Sequence, residues 1–216
     1  MEERERSIIT RNPIIAVVVI ESIEDAVPTA QALIEGGIYC IELALRTPAA
    51  LEAMRLIRKN VPEMIIGAGT VIKPDHIHQV IDSGAHFGVS PGMNRNVVER
   101  ALEKRFPFAP GVATPSDIEV ALEYNLRILK FFPAEPMGGL KYLVSAATPY
   151  LHLSLQFVPL GGINNNNASA YLSSRLIPAI GGSWISDKTL ISGNQWATIT
   201  SNAREASIIA ENAIKE

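Results

Sequence analysis

Lys130 lies in the run Arg127-Ile128-Leu129-Lys130-Phe131-Phe132-Pro133, an amine inside the most apolar strand-like segment of the second half of the chain. An ammonium buried without a partner is costly, and the usual relief is loss of its proton. A neutral, desolvated lysine attacks carbonyl carbon, so this position points to Schiff-base chemistry; the plainer alternative is a lysine that snorkels from a strand end to solvent. A second candidate segment is Ile38-Tyr39-Cys40-Ile41-Glu42-Leu43-Ala44-Leu45-Arg46. With a side-chain period of two, Cys40, Glu42 and Ala44 share one face, and Arg46 would join them if the strand continued. Four extended residues span roughly 13 Å, so the chain must turn near Leu45 if Glu42 and Arg46 are to meet one small molecule. A carboxylate beside a desolvated lysine reads as a proton shuttle, and Arg46 offers a planar fork for a substrate carboxylate. The alternative is a structural ion pair of Glu42 with Arg46 or with Lys130.

Two glycine doublets, Gly161-Gly162 and Gly181-Gly182 with Ser183 behind it, carry more weight together than apart. One doublet is a turn; two after the last two strand signals fit an anion site built from backbone N–H groups. Gly67-Ala68-Gly69-Thr70 allows close backbone approach and adds a hydroxyl at the rim. Asn164 to Asn167 read as N-cap and first-turn residues of the next helix. No metal site is expected: His76 and His78 stand two apart on a helical segment, His86 opens a strand at the far end, and His152 lies in a loop. Cys40 reads as core, and Trp184 as packing for the loop after the last strand.

These residues need elements to position them. Short apolar, β-branched runs at 14–20, 38–43, 64–67, 86–89, 106–109, 127–132, 155–158 and 177–180 read as strands. Segments with helical spacing at 23–35, 49–59, 74–83, 97–105, 116–124 and 168–173 alternate with them, and Pro48, Pro74 and Pro115 fall near helix starts. Eight such units imply an α/β protein, a single (β/α)8 barrel over residues 1–216, with residues 1–10 as an N-terminal capping helix. An open doubly wound sheet would more typically carry five or six strands and a G-x-G-x-x-G after the first, which is missing. In barrels the site forms at the C-terminal strand ends, where Glu42, Arg46, Thr70, Pro91, Lys130 and both doublets collect.

The 216 residues are 47% hydrophobic and 19% charged, with a formal net charge of -3 and one cysteine. This gives no electrostatic footprint for nucleic acid or an anionic membrane, no internal disulfide and no membrane span, and a cytoplasmic protein is expected.

Seven segments together resemble one family. They are Ile41-Glu42-Leu43-Ala44-Leu45-Arg46-Thr47, Gly67-Ala68-Gly69-Thr70-Val71, Ser90-Pro91-Gly92, Pro110-Gly111-Val112-Ala113-Thr114-Pro115-Ser116, Lys130-Phe131-Phe132-Pro133-Ala134-Glu135, Gly161-Gly162-Ile163 and Gly181-Gly182-Ser183-Trp184. In this order they are similar to the 2-keto-3-deoxy-6-phosphogluconate / 4-hydroxy-2-oxoglutarate aldolases, class I enzymes of the barrel fold. The resemblance implies that Lys130 forms the Schiff base and that Glu42 moves protons. It implies that Arg46, Thr70 and Pro91 line the pyruvate-carboxylate end and that Phe132 packs on the reacting carbons. Gly161, Gly162, Gly181, Gly182 and Ser183 match the phosphate end. It also implies a keto acid and an aldehyde as small-molecule partners, no cofactor, and a homotrimer. Two positions depart from the family pattern: Ala44 and Leu160 stand where Thr is common. Two rival functions remain: a barrel sugar-phosphate isomerase or epimerase with Glu42 as base, and a non-catalytic oligomeric scaffold.

Overall fold

The computed structural model describes residue 8 and residues 11–215. Its strands are β1 (Ile14–Val18), β2 (Cys40–Ala44), β3 (Ile65–Gly69), β4 (Phe87–Val89), β5 (Phe108–Ala109), β6 (Gly111–Val112), β7 (Ile128–Phe131), β8 (Gln156–Pro159) and β9 (Ile180–Gly182). Helices α1 (Ala26–Glu35), α2 (Ala50–Asn60), α3 (Pro74–Asp82), α4 (Arg95–Glu103), α5 (Pro115–Glu123), α6 (Gly139–Ala147), α7 (Ala168–Leu172), α8 (Lys188–Ser192) and α9 (Trp196–Lys215) alternate with them. The result is an α/β fold with two parallel sheets, ordered β5-β4-β3-β2-β1-β9 and β6-β7-β8.

Strand periodicity sorts the apolar side chains into two cores. In β1, Ile14, Ala16 and Val18 join the outer cluster under the helices, while Ile15 belongs to an inner one and Val17 packs on it. In β7 the outer residues are Leu129 and Phe131, and Ile128 faces the inner cluster with Cys40, Phe87, Val158 and Leu160. Strands buried on both faces read as near-continuous hydrophobic runs, which is why these segments were visible in the sequence. A lysine on the inner register of β7 therefore enters the interior.

Several boundaries differ from the sequence reading. The fifth strand was expected at 106–109; instead two short strands flank Pro110, which has no N–H for the ladder although its carbonyl accepts from the Lys130 N–H at 3.0 Å. The last strand was expected at 177–180, with the second glycine doublet in the loop beyond. It runs Ile180–Gly182, so Gly181 and Gly182 are strand residues in register with Ile15 and Ala16. Crowding explains why glycine is needed there: a Cβ on Gly181 would lie 2.7 Å from Leu160, and one on Gly182 would lie 2.1 Å from the Trp184 ring. The helix expected over 23–35 is a 3-10 turn (Ile23–Asp25) followed by α1. Helix α6 was not foreseen; Gly138 and Gly139, both with positive φ, hid the spacing of Leu140, Leu143, Val144 and Ala147 behind a turn signal. The capping helix expected at 1–10 lies outside the described residues apart from Ile8.

The two sheets approach each other at two places. Only Pro110 separates β5 from β6, and Leu160 bridges in parallel to Gly181 just beyond β8.

Candidate active site

Strands β2 and β7 bring together two charges 88 residues apart in the chain. Lys130 Nζ lies 2.9 Å from Glu42 Oε1 and 3.2 Å from Oε2. Lys130 is 5% exposed and Glu42 4%, so both groups have left water. The lysine thus faces the carboxylate that the sequence reading set beside it. Two buried charges incur a desolvation cost of several kcal/mol each, which a close, hydrogen-bonded pair offsets. The Phe132 ring lies 5.3 Å from Nζ, a cation–π distance that adds to the hold on the amine.

Gly69 makes room for this pair. A Cβ there would stand 2.3 Å from Glu42 Oε1, so any side chain at the end of β3 would push the carboxylate off Lys130. The next residue, Thr70, adopts φ 61, a left-handed conformation uncommon for a β-branched residue. Such strain persists where the surroundings impose it, often at sites.

Above the pair opens a cavity of about 360 Å³. Its wall includes every residue singled out from the sequence: Glu42 and Arg46 from β2 and the turn after it, Thr70 after β3, Pro91 after β4, and Lys130 and Phe132 from β7 and its end. Gly161 and Gly162 follow β8, and Gly181, Gly182 and Ser183 close the far side. The wall also includes Val17, Ala44, Leu160 and Ile163. Val17 was missed, although it is the next inner-face position after Ile15 on β1. Strand β2 ends at Ala44 and the chain turns at Leu45 and Arg46, which brings both charges to one cavity. The Arg46 side chain is exposed and makes no ion pair or hydrogen bond with the described residues.

The far end of the cavity is backbone. Gly161 and Gly162 have φ of 98° and 87°, conformations that favour glycine. Asn164 to Asn167 form the turn that enters α7, as read from the sequence: Asn164 Oδ1 accepts from the Asn166 N–H, Asn167 Oδ1 accepts from the Asn164 N–H, and the Asn164 carbonyl accepts from the Ala168 N–H. Asn167 is at the N-cap of α7 but its side chain makes no cap bond there. Its Nδ2 donates to the Gly162 carbonyl at 3.1 Å, and Asn164 Nδ2 donates to the same oxygen at 3.3 Å. Asn165 Oδ1 accepts from the Trp184 indole N–H at 2.6 Å. Trp184 thus packs on Gly182 and ties its loop to the turn before α7.

The cysteine and histidines set aside in the sequence lie elsewhere. Cys40 sits deeper in the interior, where burial first and the Glu42 charge second push its thiol pKa up and leave it unreactive. His78 Nε2 is 3.0 Å from Arg100 Nη1, and His86 Nδ1 accepts from the Ile66 N–H. Among the described residues no three His, Cys, Asp or Glu side chains gather to hold a metal.

Fold and site together define an α/β protein with a buried amine–carboxylate pair on the floor of an open cavity at the C-terminal strand ends. Residues 6–202 match the family described as KDPG and KHG aldolase. The KHG/KDPG aldolase of Escherichia coli (strain K12) is 40% identical over 200 residues, 93% of each chain. The 2-dehydro-3-deoxy-phosphogluconate aldolase of Dickeya dadantii is 41% identical over 199 residues, 92% of each chain. A crystal structure of the Legionella pneumophila KDPG aldolase, with pyruvate captured as a covalent carbinolamine, superposes with a TM-score of 0.89 at 37% identity, covering 94% of this chain and 97% of that one. The Zymomonas mobilis ZM4 enzyme with 3-phosphoglycerate gives 0.86 at 40% identity, covering 94% of each. The chain belongs to the KDPG and KHG aldolase family.

Proposed function

We propose that this chain is a class I aldolase that cleaves 2-keto-3-deoxy-6-phosphogluconate, 4-hydroxy-2-oxoglutarate or both, to pyruvate and an aldehyde. The observation that carries this reading is the buried Lys130–Glu42 pair, 2.9 Å apart, below an open cavity. Lys130 passes a proton to Glu42 and attacks C2 of the keto acid. Glu42 returns that proton to the carbinolamine hydroxyl, which leaves as water, and the regenerated carboxylate takes the C4 hydroxyl proton as the iminium draws electrons from the C3–C4 bond. The aldehyde leaves; the enamine is protonated at C3 and hydrolysed, which returns pyruvate and the free amine. The exposed Arg46 receives the substrate carboxylate, with Thr70 and Pro91 beside it, and Phe132 packs on the reacting carbons. The Gly161-Gly162 and Gly181-Gly182 backbone and the Ser183 hydroxyl receive the distal phosphate.

Leu160 modifies that last role. It is buried, packs against Gly181, and presents hydrocarbon where a threonine would offer a hydroxyl. We read the preference for phosphorylated acid as weakened, without loss of the reaction. We also read the two sheets as one closed (β/α)8 barrel and a single domain: β5 and β6 count as one strand broken at Pro110, and the Leu160–Gly181 bridge joins the other edges. The homotrimer and cytoplasmic location rest on the family resemblance; among the described residues no helix is long and apolar enough to cross a membrane.

Borohydride reduction in the presence of pyruvate tests the reading. A stable mass increase mapped to Lys130 is expected; an unlabelled Lys130 sinks it. An isomerase or a silent scaffold would give no adduct.

A further inference from the structure

We infer that Asn167, assisted by Asn164, is a positioning residue for the anion-holding turn of the aldolase site, which it orients from outside the cavity. The inference rests on the aldolase reading above. Three successive carbonyls of the turn are tied down by groups that do not line the cavity. Leu160 O accepts from the Ala134 N–H at 2.7 Å, and Gly161 O from the Glu135 N–H at 2.9 Å. Gly162 O accepts from the two asparagine amides. In a trans peptide the C=O and the following N–H point in opposite directions. Holding back the Gly161 and Gly162 carbonyls therefore aims the N–H groups of Gly162 and Ile163 the other way, and both residues line the cavity. Neither N–H donates to a described residue. Successive N–H groups presented in this way form a concave anion receptor.

The third tether differs from the first two. Backbone groups of residues 134 and 135 hold the first two carbonyls and survive any substitution short of proline. Side chains alone hold the Gly162 carbonyl, so here the amino-acid type decides which way the peptide faces. The amide of Asn167 is itself oriented: its Oδ1 accepts from the Asn164 N–H at 2.8 Å, which leaves Nδ2 as the group that meets the carbonyl.

Asn167→Asp keeps the acceptor for Asn164 and removes the donor to Gly162. Asn166→Asp places the same charge one residue away, on an exposed side chain that makes no hydrogen bond with the described residues. Each variant is assayed for KM and kcat with the 6-phosphorylated keto acid. Each is also assayed for deuterium exchange into the pyruvate methyl group, a half-reaction with no distal anion. The expected result for Asn167→Asp is a rise of about tenfold in KM for the phosphorylated acid with pyruvate exchange unchanged, while Asn166→Asp changes KM less than about twofold. Equal KM changes in the two variants, an unchanged KM in Asn167→Asp, or matching losses in exchange and cleavage would each overturn the assignment. If Asn167→Asp does not fold, Asn164→Asp serves: its Oδ1 contact with the Asn166 N–H survives, the longer bond to Gly162 is lost, and a rise of about twofold is expected, its absence being decisive. Failure of the wild-type protein to exchange pyruvate protons would instead remove the aldolase reading itself.

Discussion

At the Lys130 end of the cavity, chemistry is assigned to side chains that project from the middle of strands; at the glycine end, the wall is largely backbone. The first end is buried and charged, with Lys130 and Glu42 closing an ion pair inside the fold. The second sets the Gly161-Gly162 turn, with its carbonyls tied from behind, beside the Gly181-Gly182 end of β9. The contrast follows from what each must do. A nucleophile and its proton carrier need low dielectric and fixed distance, which strand register supplies. A phosphate arrives with its own charge and needs several donors at once, which a bare turn supplies with no side-chain entropy to lose.

Perturbing the first end should give the largest effects. Glu42→Gln keeps the shape of the pair but removes the proton carrier, and kcat for cleavage should fall about 10²–10⁴-fold in steady-state assays, with Lys130 still present for slow reductive trapping. A kcat within a few-fold of wild type would move the proton transfers to another group. Next in size is stability. Glu42→Ala leaves a buried ammonium unpaired and should cost about 3–5 kcal/mol in urea unfolding, whereas the double substitution Glu42→Leu, Lys130→Met should recover most of that loss while staying inactive. If the single and double variants are equally unstable, the pair is not the charge balance it is taken for.

At the glycine end the expected changes are smaller. Leu160→Thr adds a hydroxyl beside the turn and should lower KM for the phosphorylated acid by the worth of one hydrogen bond, about 0.5–1.5 kcal/mol, with KM for 4-hydroxy-2-oxoglutarate unchanged. An unaltered KM for the phosphorylated acid would remove Leu160 from the account of substrate preference. Smallest is a change away from both ends. Thr114 and Asp117 form a capping box at the start of α5. Burial pushes the Asp117 carboxyl up, but the N–H groups of Ala113 and Thr114 and the Thr114 hydroxyl outweigh it and hold the pKa below the usual carboxylate value. A depressed folded-state value means this contact stabilises the protein above the unfolded aspartate value near pH 4, and the gain is lost as pH falls through the lower folded value. Asp117→Ala should cost about 1 kcal/mol at neutral pH, shrink that difference at acid pH, and leave kinetics at both ends alone. A pH-independent difference would mean that the cost comes from packing.

Much of this was readable in the chain. Alternation put Glu42 with Cys40 and Ala44 on one face and set Lys130 among residues that cover both faces of a buried strand, because side-chain direction in a strand is fixed by parity. Proline marked the starts of α3 and α5, and glycine the turns of the site, because their backbone limits are local. The asparagines at 164 to 167 were read by the same local logic as caps, and they do close the turn into α7, but their further partners were not foreseen. Their partners, Gly162 O and Trp184, are set by how a turn and a loop meet in space. The displaced last strand and the fifth strand split at Pro110 have the same origin: ladder pairing and crowding against Leu160 and Trp184 decided them.

The sequence by itself determined which side chains could do chemistry, which face each takes on its own strand, and where the chain can turn, because these depend on neighbours a few bonds away. The tertiary structure alone decided that Glu42 and Lys130 meet across 88 residues, that Gly69 is bare because a carboxylate lies over it, and that the carbonyls of the far turn are tied from behind. Those outcomes depend on register between strands and on contacts between loops, and the free energy that fixes them appears only once both partners have been brought together and dried.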